Sequence, residues 1–331
     1  MKIKKNVQAS KQTNFRTGGK VAYLVEVNIK KDLVAALKYS DEKEKEWKVI
    51  GLGTNMLISD YYQDIVLIRL NNKNMKLQNN LLSVGAGVVW DELVVFAIKN
   101  NLAGFACMSG IPGTVGAAPI QNIGAYGQEI AEVIDYVEVY DTKVKVFKKL
   151  LHSACKFKYR DSIFKHTNRY IVYQVGFRSK NAETIKIEYD ALKAELKGKE
   201  VTLSSVRSAV LNIRKHKFGS LKGIGTAGSF FKNPVVDKIK FDETIRRCPN
   251  MPYFKSGNNY KLYGGWLIEK AGFKGFKYKR VGVSDNNALI LKNLGGASSE
   301  EVYSLATKIK EKVYELFDIM LEPEVDLVGF K

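Results

Sequence analysis

The sequence has few of the residues that form disulfides or hold metals. It contains three cysteines and three histidines among 331 residues. The cysteines, Cys107, Cys155 and Cys248, are far apart and odd in number, which is typical of reduced thiols and not of a disulfide framework. A zinc site needs clustered Cys and His ligands, so we expect no metal. We therefore expect a cytoplasmic protein that is stabilised by a buried core.

Long hydrophobic runs are missing as well. No apolar stretch approaches the roughly 18 residues of a membrane-spanning helix, and residues 1–16 are basic and polar, unlike a secretory signal. Six prolines and 27 glycines exclude collagen-like and proline-rich classes. Hydrophobic residues make up 45% and charged residues 26%, which excludes a mostly disordered chain. The length indicates about two or three domains.

Acidic residues are in the minority. The 53 Lys and Arg residues outnumber the 34 Asp and Glu residues, so the net charge is +19. Such an excess is compatible with a nucleic acid, an anionic membrane surface or an anionic small substrate. The lysines are spread along the whole chain and form no basic block, so compositional drift is the favoured interpretation. We expect no nucleic-acid partner and no membrane partner.

Hydrophobic periodicity predicts an α+β protein. Strands are predicted at residues 21–27, 47–52, 65–70, 81–85, 133–140, 144–149, 170–177 and 324–328. Helices are predicted at residues 32–40, from Trp90, at 203–217 and from Ser298. Ser298 and Glu301 have the spacing of a capping box. A glycine-rich turn at residues 219–228 is the predicted domain boundary.

Residues 104–127, hereafter the glycine loop, differ most from the rest of the chain. The segment carries almost no charge, two prolines and the glycines Gly104, Gly110, Gly113, Gly116, Gly124 and Gly127. An uncharged segment of this kind is not a solvated linker, and glycine allows the main chain to approach a ligand closely. The loop therefore predicts a wrapped ligand. Residues 51–55 (GLGTN) by themselves favour a simple turn, but the two segments together indicate one long phosphorylated cofactor.

A second glycine pattern is not a dinucleotide fingerprint. Gly223, Gly225 and Gly228 have GxGxxG spacing, but a predicted helix precedes them and Pro234 follows. The fingerprint requires a strand before the glycines and a helix after them. We therefore exclude a Rossmann site here.

Three polar clusters are ambiguous when each is taken alone. Arg160, in YRDS, could bind a carboxylate or phosphate with two hydrogen bonds, or form an ordinary surface pair. Ser229 could donate a proton or simply cap a turn, and no GxSxG motif supports a hydrolase. Glu324 either has a partner in a buried strand or lies at an exposed strand end. These residues alone indicate only an enzyme or binder with an anionic ligand.

The clusters together resemble a known family. Residues 111–127 (IPGTVGAAPIQNIGAYG) resemble the flavin-binding signature of UDP-N-acetylenolpyruvoylglucosamine reductases. Residues 51–55, 159–165 (YRDSIFK), 228–234 (GSFFKNP) and 321–325 (LEPEV) resemble further motifs of that family, in its order. The form of YRDSIFK, with Tyr189 downstream, is similar to the type I branch, whose tyrosine loop covers the substrate.

The resemblance implies a fold and a reaction. The fold is α+β: an FAD-binding fold of the vanillyl-alcohol-oxidase/PCMH type with two α+β subdomains, residues 1–70 and 71–213. A C-terminal α+β substrate-binding domain, residues 214–320, follows, and residues 321–331 return as a strand to the FAD-binding region. NADPH reduces FAD, and the flavin N5 hydride passes to C3 of UDP-N-acetylglucosamine enolpyruvate. The product is UDP-N-acetylmuramate, a peptidoglycan precursor, and we expect a monomer.

The resemblance also implies roles for individual residues. Arg160 and Glu324 stabilise the enolate-like state, and Ser229 protonates C2. The residues that bind FAD are Gly51, Gly53, Thr54, Asn55, Ile111, Pro112, Gly113, Thr114, Gly116, Ala117, Ile120, Gly124 and Gly127. The residues that bind the substrate are Tyr126, Tyr189, Lys217, Asn233, Tyr253 and Lys274.

The chain departs from the family pattern at a few positions. Residues 218–221 (FGSL) stand where Leu-Pro-Asp-Pro is common, Ala106 where glutamate is common, and Thr54 where serine is usual.

Two other functions stay open on the sequence alone. One is a different FAD oxidoreductase of the same fold, although none of the three histidines lies in either glycine segment to tether FAD covalently. The other is a basic nucleic-acid-binding protein, which would be colourless and strongly salt-dependent. An inactive family member is disfavoured because Arg160, Ser229 and Glu324 are all present.

Overall fold

The computed structural model describes residues 1–178, 185, 187–218 and 223–330. The predicted boundary turn and the departure at 218–221 lie partly outside these residues. The strands are β1 (Lys2–Gln8), β2 (Lys20–Val27), β3 (Glu46–Ile50), β4 (Met56–Ile58), β5 (Gln63–Leu70), β6 (Met75–Gln78), β7 (Leu81–Gly85), β8 (Gly124–Ala125), β9 (Gln128–Glu129), β10 (Ile134–Asp141), β11 (Val146–Leu151), β12 (Tyr170–Arg178), β13 (Val235–Val236), β14 (Tyr253–Ser256), β15 (Asn259–Leu262), β16 (Lys277–Tyr278), β17 (Val281–Val283), β18 (Leu291–Asn293) and β19 (Asp326–Val328). The helices are α1 (Lys30–Glu42), α2 (Trp90–Lys99), α3 (Asp190–Leu196), α4 (Leu203–Phe218), α5 (Lys238–Arg247), α6 (Gly264–Lys270) and α7 (Ser299–Phe317).

The α+β class is confirmed, and the strongly periodic elements lie where the sequence predicts them. The strand predicted at 324–328 is shorter, because the ladder with β4 begins only at Asp326. The sequence did not predict β1, which is mostly exposed, or α5, in which polar and charged residues outnumber the apolar ones. None of the described helices combines the length and the hydrophobicity required to cross a bilayer.

Internal contacts divide the chain into two compact units. Unit 1 consists of Met1–Val7, Val21–Leu52 and Asp64–His216. Unit 2 consists of Gln8–Lys20, Gly53–Gln63 and Lys217–Lys331. Residues 51–55 therefore belong to both units, with Leu52 as the last residue of one segment and Gly53 as the first of the next.

Unit 1 is built on two sheets. The strand order is β1-β2-β5-β3 in the first and β11-β10-β12-β7-β6 in the second. Trp90 on α2 packs against Phe177 on β12 and Phe105, and all three are fully buried. Aromatic side chains of this size contribute much of the free energy of folding. This cluster fixes the start of α2 and, through Phe105, the first residues of the glycine loop.

Unit 2 has α7 at its core. The Ser298 hydroxyl accepts a hydrogen bond from the Glu301 N–H at 3.1 Å, and the Glu301 carboxylate accepts one from the Ser298 N–H at 2.8 Å. The predicted capping box is thus confirmed, and such a cap is worth about 1 kcal/mol. The buried face of α7 includes Val302, Leu305, Ala306, Ile309 and Val313. In the same unit, β19 pairs in parallel with β4, with Leu327 opposite Leu57.

The ion pair between Asp141 and Arg169 closes the end of the β10–β12 pair. Two hydrogen bonds, Nε to Oδ1 at 2.8 Å and a terminal nitrogen to Oδ2 at 2.7 Å, hold the buried carboxylate. The Arg169 hydrogen bonds, helped by Lys148, lower the pKa of Asp141 well below its ordinary value against the opposing effect of burial. The stabilisation is therefore complete above pH ~4, where an unfolded Asp ionises, and is lost as the pH falls further.

We expect Asp141→Asn to lower the melting temperature at pH 7, because it removes the charge that Arg169 and Lys148 bind. Since the wild-type protein loses this stabilisation in acid, the difference should shrink as the pH falls below about 4. Thermal melts between pH 7 and pH 3 measure this. A difference that stays constant over that range would contradict the assignment.

Candidate active site

The glycine loop pairs with residues 86–90 of unit 1. The Val115 N–H donates to the Val88 carbonyl at 2.9 Å, and the Gly116 N–H donates to the Ala86 carbonyl at 2.9 Å. A Cβ atom on Gly116 would lie 2.5 Å from the Ala86 Cβ, which is closer than real Cβ contacts come. Only glycine therefore permits this approach of the two main chains.

The two glycine segments meet within unit 1. A Cβ atom on Gly51 would lie 2.8 Å from the Thr114 hydroxyl oxygen. The Arg69 Nε atom donates to the Gly51 carbonyl at 3.2 Å and fixes this turn. The two segments thus approach each other closely at one place, where Gly51 leaves room for the Thr114 side chain. This is the arrangement that backbone N–H groups need to hold an extended phosphorylated ligand, so the residues present fit FAD.

The rest of the first glycine segment is anchored within unit 2. Gly53 has φ +64°, and a Cβ atom there would lie 2.1 Å from the Gln12 carbonyl oxygen. Asn55 donates from Nδ2 to the Glu324 carbonyl at 3.0 Å, and its own carbonyl accepts from the Asp326 N–H at 3.0 Å. The predicted cofactor residue Asn55 and the predicted catalytic residue Glu324 are therefore in direct contact.

Arg160 lies against the end of the glycine loop. Its guanidinium donates to the Gly124 carbonyl at 2.9 Å and to the Asn122 carbonyl at 3.5 Å. Two residues on, the Ser162 hydroxyl donates to the Ile120 carbonyl at 2.6 Å. Asp161, the alternative surface partner, instead binds His166 at 2.8 Å. The YRDS turn is therefore built onto the loop, and its Arg160 guanidinium is held by main-chain carbonyls.

Asn122 is a structural residue that sequence reasoning missed. It is buried, and its Nδ2 atom donates to the Glu129 carboxylate at 2.6 Å and to the Lys158 carbonyl at 3.1 Å. Its Oδ1 atom accepts from the Ala131 N–H at 3.1 Å. With φ +44°, it adopts the left-handed conformation that Asn tolerates better than most residues. An Asn close to a glycine, here Gly124, is a turn signal that could have identified it.

Tyr126 and Tyr189, both predicted to bind substrate, are in contact. Their ring centroids are 5.4 Å apart, with an edge-to-face angle of 83°. Burial raises the pKa of Tyr126, and a hydrogen bond from Arg214 opposes this shift. A cavity of about 310 Å³ adjoins the pair and is lined by Tyr126, Gly127, Gln128, Glu132 and Glu188. Arg214 is a second residue that the sequence analysis missed, since nothing in the pattern of α4 distinguishes it.

Ser229 and Glu324 lie on adjacent extended segments of unit 2. Ser229 is bridged to Ile290 on one side, and the Phe230 N–H donates to the Leu289 carbonyl at 2.7 Å. On the other side, the Phe230 carbonyl accepts from the Glu324 N–H at 2.8 Å. Phe230 is almost fully buried and fixes the segment in the core. Two residues 95 positions apart in the sequence are thus brought together.

The remaining predicted substrate residues have different surroundings in unit 2. Asn233 accepts from the Gly264 N–H at 3.0 Å and so lies at the start of α6. Tyr253 is 46% exposed, with its ring 4.5 Å from that of Phe241. Lys274 is exposed and forms an ion pair with Glu269 at 3.0 Å, which gives its charge a protein partner. Lys217 lies exposed near the end of α4.

Comparisons with known proteins agree with this architecture. The family model "UDP-N-acetylenolpyruvoylglucosamine reductase, C-terminal domain" matches residues 220–328, and the model "FAD binding domain" matches residues 21–148. The UDP-N-acetylenolpyruvoylglucosamine reductase of Amoebophilus asiaticus is 41% identical over 291 residues, which cover 84% of this chain and 85% of that protein. The chain belongs to the UDP-N-acetylenolpyruvoylglucosamine reductase family.

A further relative supports the family over nearly the full length, and a solved structure shows the same fold. The reductase of the same name from Polynucleobacter asymbioticus is 35% identical over 331 residues and covers 97% of this chain and 95% of its own. The crystal structure of the Thermus caldophilus reductase (MurB) covers 99% of this chain and all of its own, with a TM-score of 0.72 and 24% identity. The expected FAD-binding fold and FAD as the cofactor are therefore confirmed.

We expect Gly116→Ala to weaken FAD binding and to destabilise the protein by about 1–3 kcal/mol, because the new methyl group overlaps Ala86. Reconstitution of the apoprotein with FAD and thermal melts measure both effects. Gly265→Ala in α6 is the matched control, since a Cβ atom there meets its nearest neighbour at an ordinary 3.6 Å. Equal effects of the two substitutions would contradict the tight fit at Gly116.

Proposed function

We propose that this protein catalyses the NADPH-dependent, FAD-mediated reduction of UDP-N-acetylglucosamine enolpyruvate to UDP-N-acetylmuramate. This reaction supplies peptidoglycan synthesis, and we propose a cytoplasmic monomer with small-molecule substrates. The observation that carries the proposal is the hydrogen bond from the Glu324 N–H to the Phe230 carbonyl at 2.8 Å. This bond joins the segment that carries Glu324 to the segment that carries Ser229, and it supports the proposal in a chain of the reductase family.

FAD supplies hydride exchange, first with NADPH and then with the enolpyruvyl group of the substrate. Residues 51–55 and the glycine loop are the segments that would hold it. Their contribution is a closely packed main chain, positioned by the contacts at Gly51 and Gly116 in unit 1 and at Gly53 in unit 2. These glycines are set by buried packing, so the cradle is formed before a ligand enters.

Ser229 is the proposed donor of the proton that C2 of the substrate receives. A serine hydroxyl is a weak acid, so its efficiency depends on precise placement. The segment that carries it is bonded on both sides, to Leu289 and to Glu324, and the adjacent Phe230 is buried. Rigid support of this kind holds a catalytic group in its productive position.

Arg160 and Glu324 are proposed to stabilise the charge that builds on the enolpyruvyl carboxylate. The Arg160 guanidinium already donates to the carbonyls of Gly124 and Asn122, so its orientation is fixed before the substrate binds. A preorganised cation of this kind is worth several kcal/mol to a transition state with developing negative charge. The backbone of Glu324 is fixed from two sides, by Phe230 and by Asn55.

The two half-reactions can be measured separately. Purified protein with FAD is mixed anaerobically with NADPH, and the enolpyruvyl UDP-sugar is added after the flavin absorption has bleached. Bleaching followed by recovery of the absorption on addition of the sugar is the expected result. Bleaching without recovery would contradict the proposed substrate and would favour the alternative that the protein is a different FAD oxidoreductase. A protein that binds no FAD would contradict the proposed activity altogether.

We expect Ser229→Ala to slow the second half-reaction by about 10²–10⁴-fold, the usual effect of removing a general acid. Bleaching by NADPH should change by less than about twofold, since the proton that Ser229 donates is needed only by the sugar. Stopped-flow absorption measures both phases. Ser208→Ala, at an exposed position of α4, is the control for loss of a hydroxyl. Loss of both half-reactions in Ser229→Ala alone would contradict its role as the proton donor.

A further inference from the structure

Asp91 joins the glycine loop to α4. It lies in the first turn of α2, and its Oδ1 atom accepts a hydrogen bond from the Gly110 N–H at 2.7 Å. Both terminal nitrogens of Arg207 donate to the same carboxylate, each at 2.7 Å. These contacts are much more specific than an exposed ion pair, because a two-pronged Arg–carboxylate pair fixes orientation as well as distance. The Arg207 hydrogen bonds also lower the pKa of Asp91, which keeps it ionised.

The loop crosses α4 at the same place. Gly110 has φ +69°, and a Cβ atom there would lie 2.9 Å from the Leu211 side chain and 3.2 Å from the Nε atom of Arg214. Arg207, Leu211 and Arg214 are spaced i, i+4 and i+7, so they form one stripe along the helix. The glycine loop therefore packs on this stripe at Gly110, and the Asp91–Arg207 pair sets the position of that contact.

The same stripe reaches the other end of the loop. Arg214 forms a hydrogen bond with Tyr126, and burial lowers the pKa of Arg214 while Tyr126 and Asp91 act against that shift. Tyr126 in turn packs edge-to-face against Tyr189. One helix thus contacts the glycine loop at Gly110 and also the tyrosine pair that we assign to the substrate.

We propose that Arg207 is a positioning residue for both ligands. Its two hydrogen bonds to Asp91 fix α4 against the glycine loop, and this sets the FAD-binding main chain near Gly110 and the Tyr126–Tyr189 pair together. The part that concerns the substrate rests on the proposed function, whereas the part that concerns FAD does not. Arg207 is not assigned to the reacting atoms, so its loss should weaken binding rather than slow the chemical step.

The test is Arg207→Lys, which keeps the positive charge and removes the two-pronged geometry. The expected result is a rise of about tenfold in the Kd of the apoprotein for FAD and in the KM for the enolpyruvyl UDP-sugar. With both ligands saturating, kcat should change by less than about threefold. Asp91→Asn, which keeps an acceptor for the Gly110 N–H but weakens the pair with Arg207, should give the same pattern.

The matched control is Arg169→Lys. Arg169 makes the same two-pronged contact with a buried carboxylate, that of Asp141, at 2.8 and 2.7 Å. We expect this variant to lower the melting temperature without raising the Kd for FAD or the KM. If Arg207→Lys also changes only the melting temperature, or if neither Arg207→Lys nor Asp91→Asn folds, the pair is purely structural and the proposal is overturned.

The FAD measurement separates this proposal from the proposed function. It uses apoprotein and FAD alone, by fluorescence quenching on binding, and needs no turnover. If the wild-type protein binds FAD but does not reduce the sugar, the proposed function fails while the FAD effect of Arg207→Lys can still be measured. If the wild-type protein turns over normally and the variant binds FAD as tightly as wild type, the role of Arg207 fails instead.

Discussion

The close approach of the glycine loop to residues 86–90 is the constraint on which the candidate site depends. The two main chains are joined at Val115 and Gly116, and no Cβ atom fits between Gly116 and Ala86. Close-packed atoms leave no space for one main chain to shift without moving the other. The pairing at Val115 and Gly116 therefore sets the position of the other loop contacts. These include Thr114 near Gly51 and the Gly124 carbonyl that binds Arg160.

Electrostatics in this protein is local rather than global. The net charge of +19 is spread over the chain, and the glycine loop itself is almost uncharged. Three arginines near the loop have specific partners: Arg160 binds main-chain carbonyls, Arg207 binds Asp91 and Arg214 binds Tyr126. Oriented charges need no rearrangement when a ligand arrives. These arginines are therefore more important for ligand binding than the net charge is.

The proposed catalytic pair in unit 2 follows a different principle. Ser229 and Glu324 come from distant parts of the sequence and are joined by one backbone hydrogen bond at Phe230. The buried Phe230 and Phe231 side chains anchor one segment, and Asn55 anchors the other. The buried apolar side chains thus make the Ser229 segment rigid, while hydrogen bonds between main-chain groups align it with the Glu324 segment.

The sequence by itself determined the class, the strongly periodic elements, the cap at Ser298 and the family, because those depend on local spacing and on contiguous motifs. Only the tertiary structure decided which residues meet. Asn122 and Arg214 escaped prediction because their importance comes from partners far away in the chain, as does that of Arg207 at Asp91. Predominantly polar elements such as α5 also escaped, because the packing of a few apolar side chains rather than local preference stabilises them. Long-range contacts leave little pattern in the local sequence, so only the fold identifies these residues.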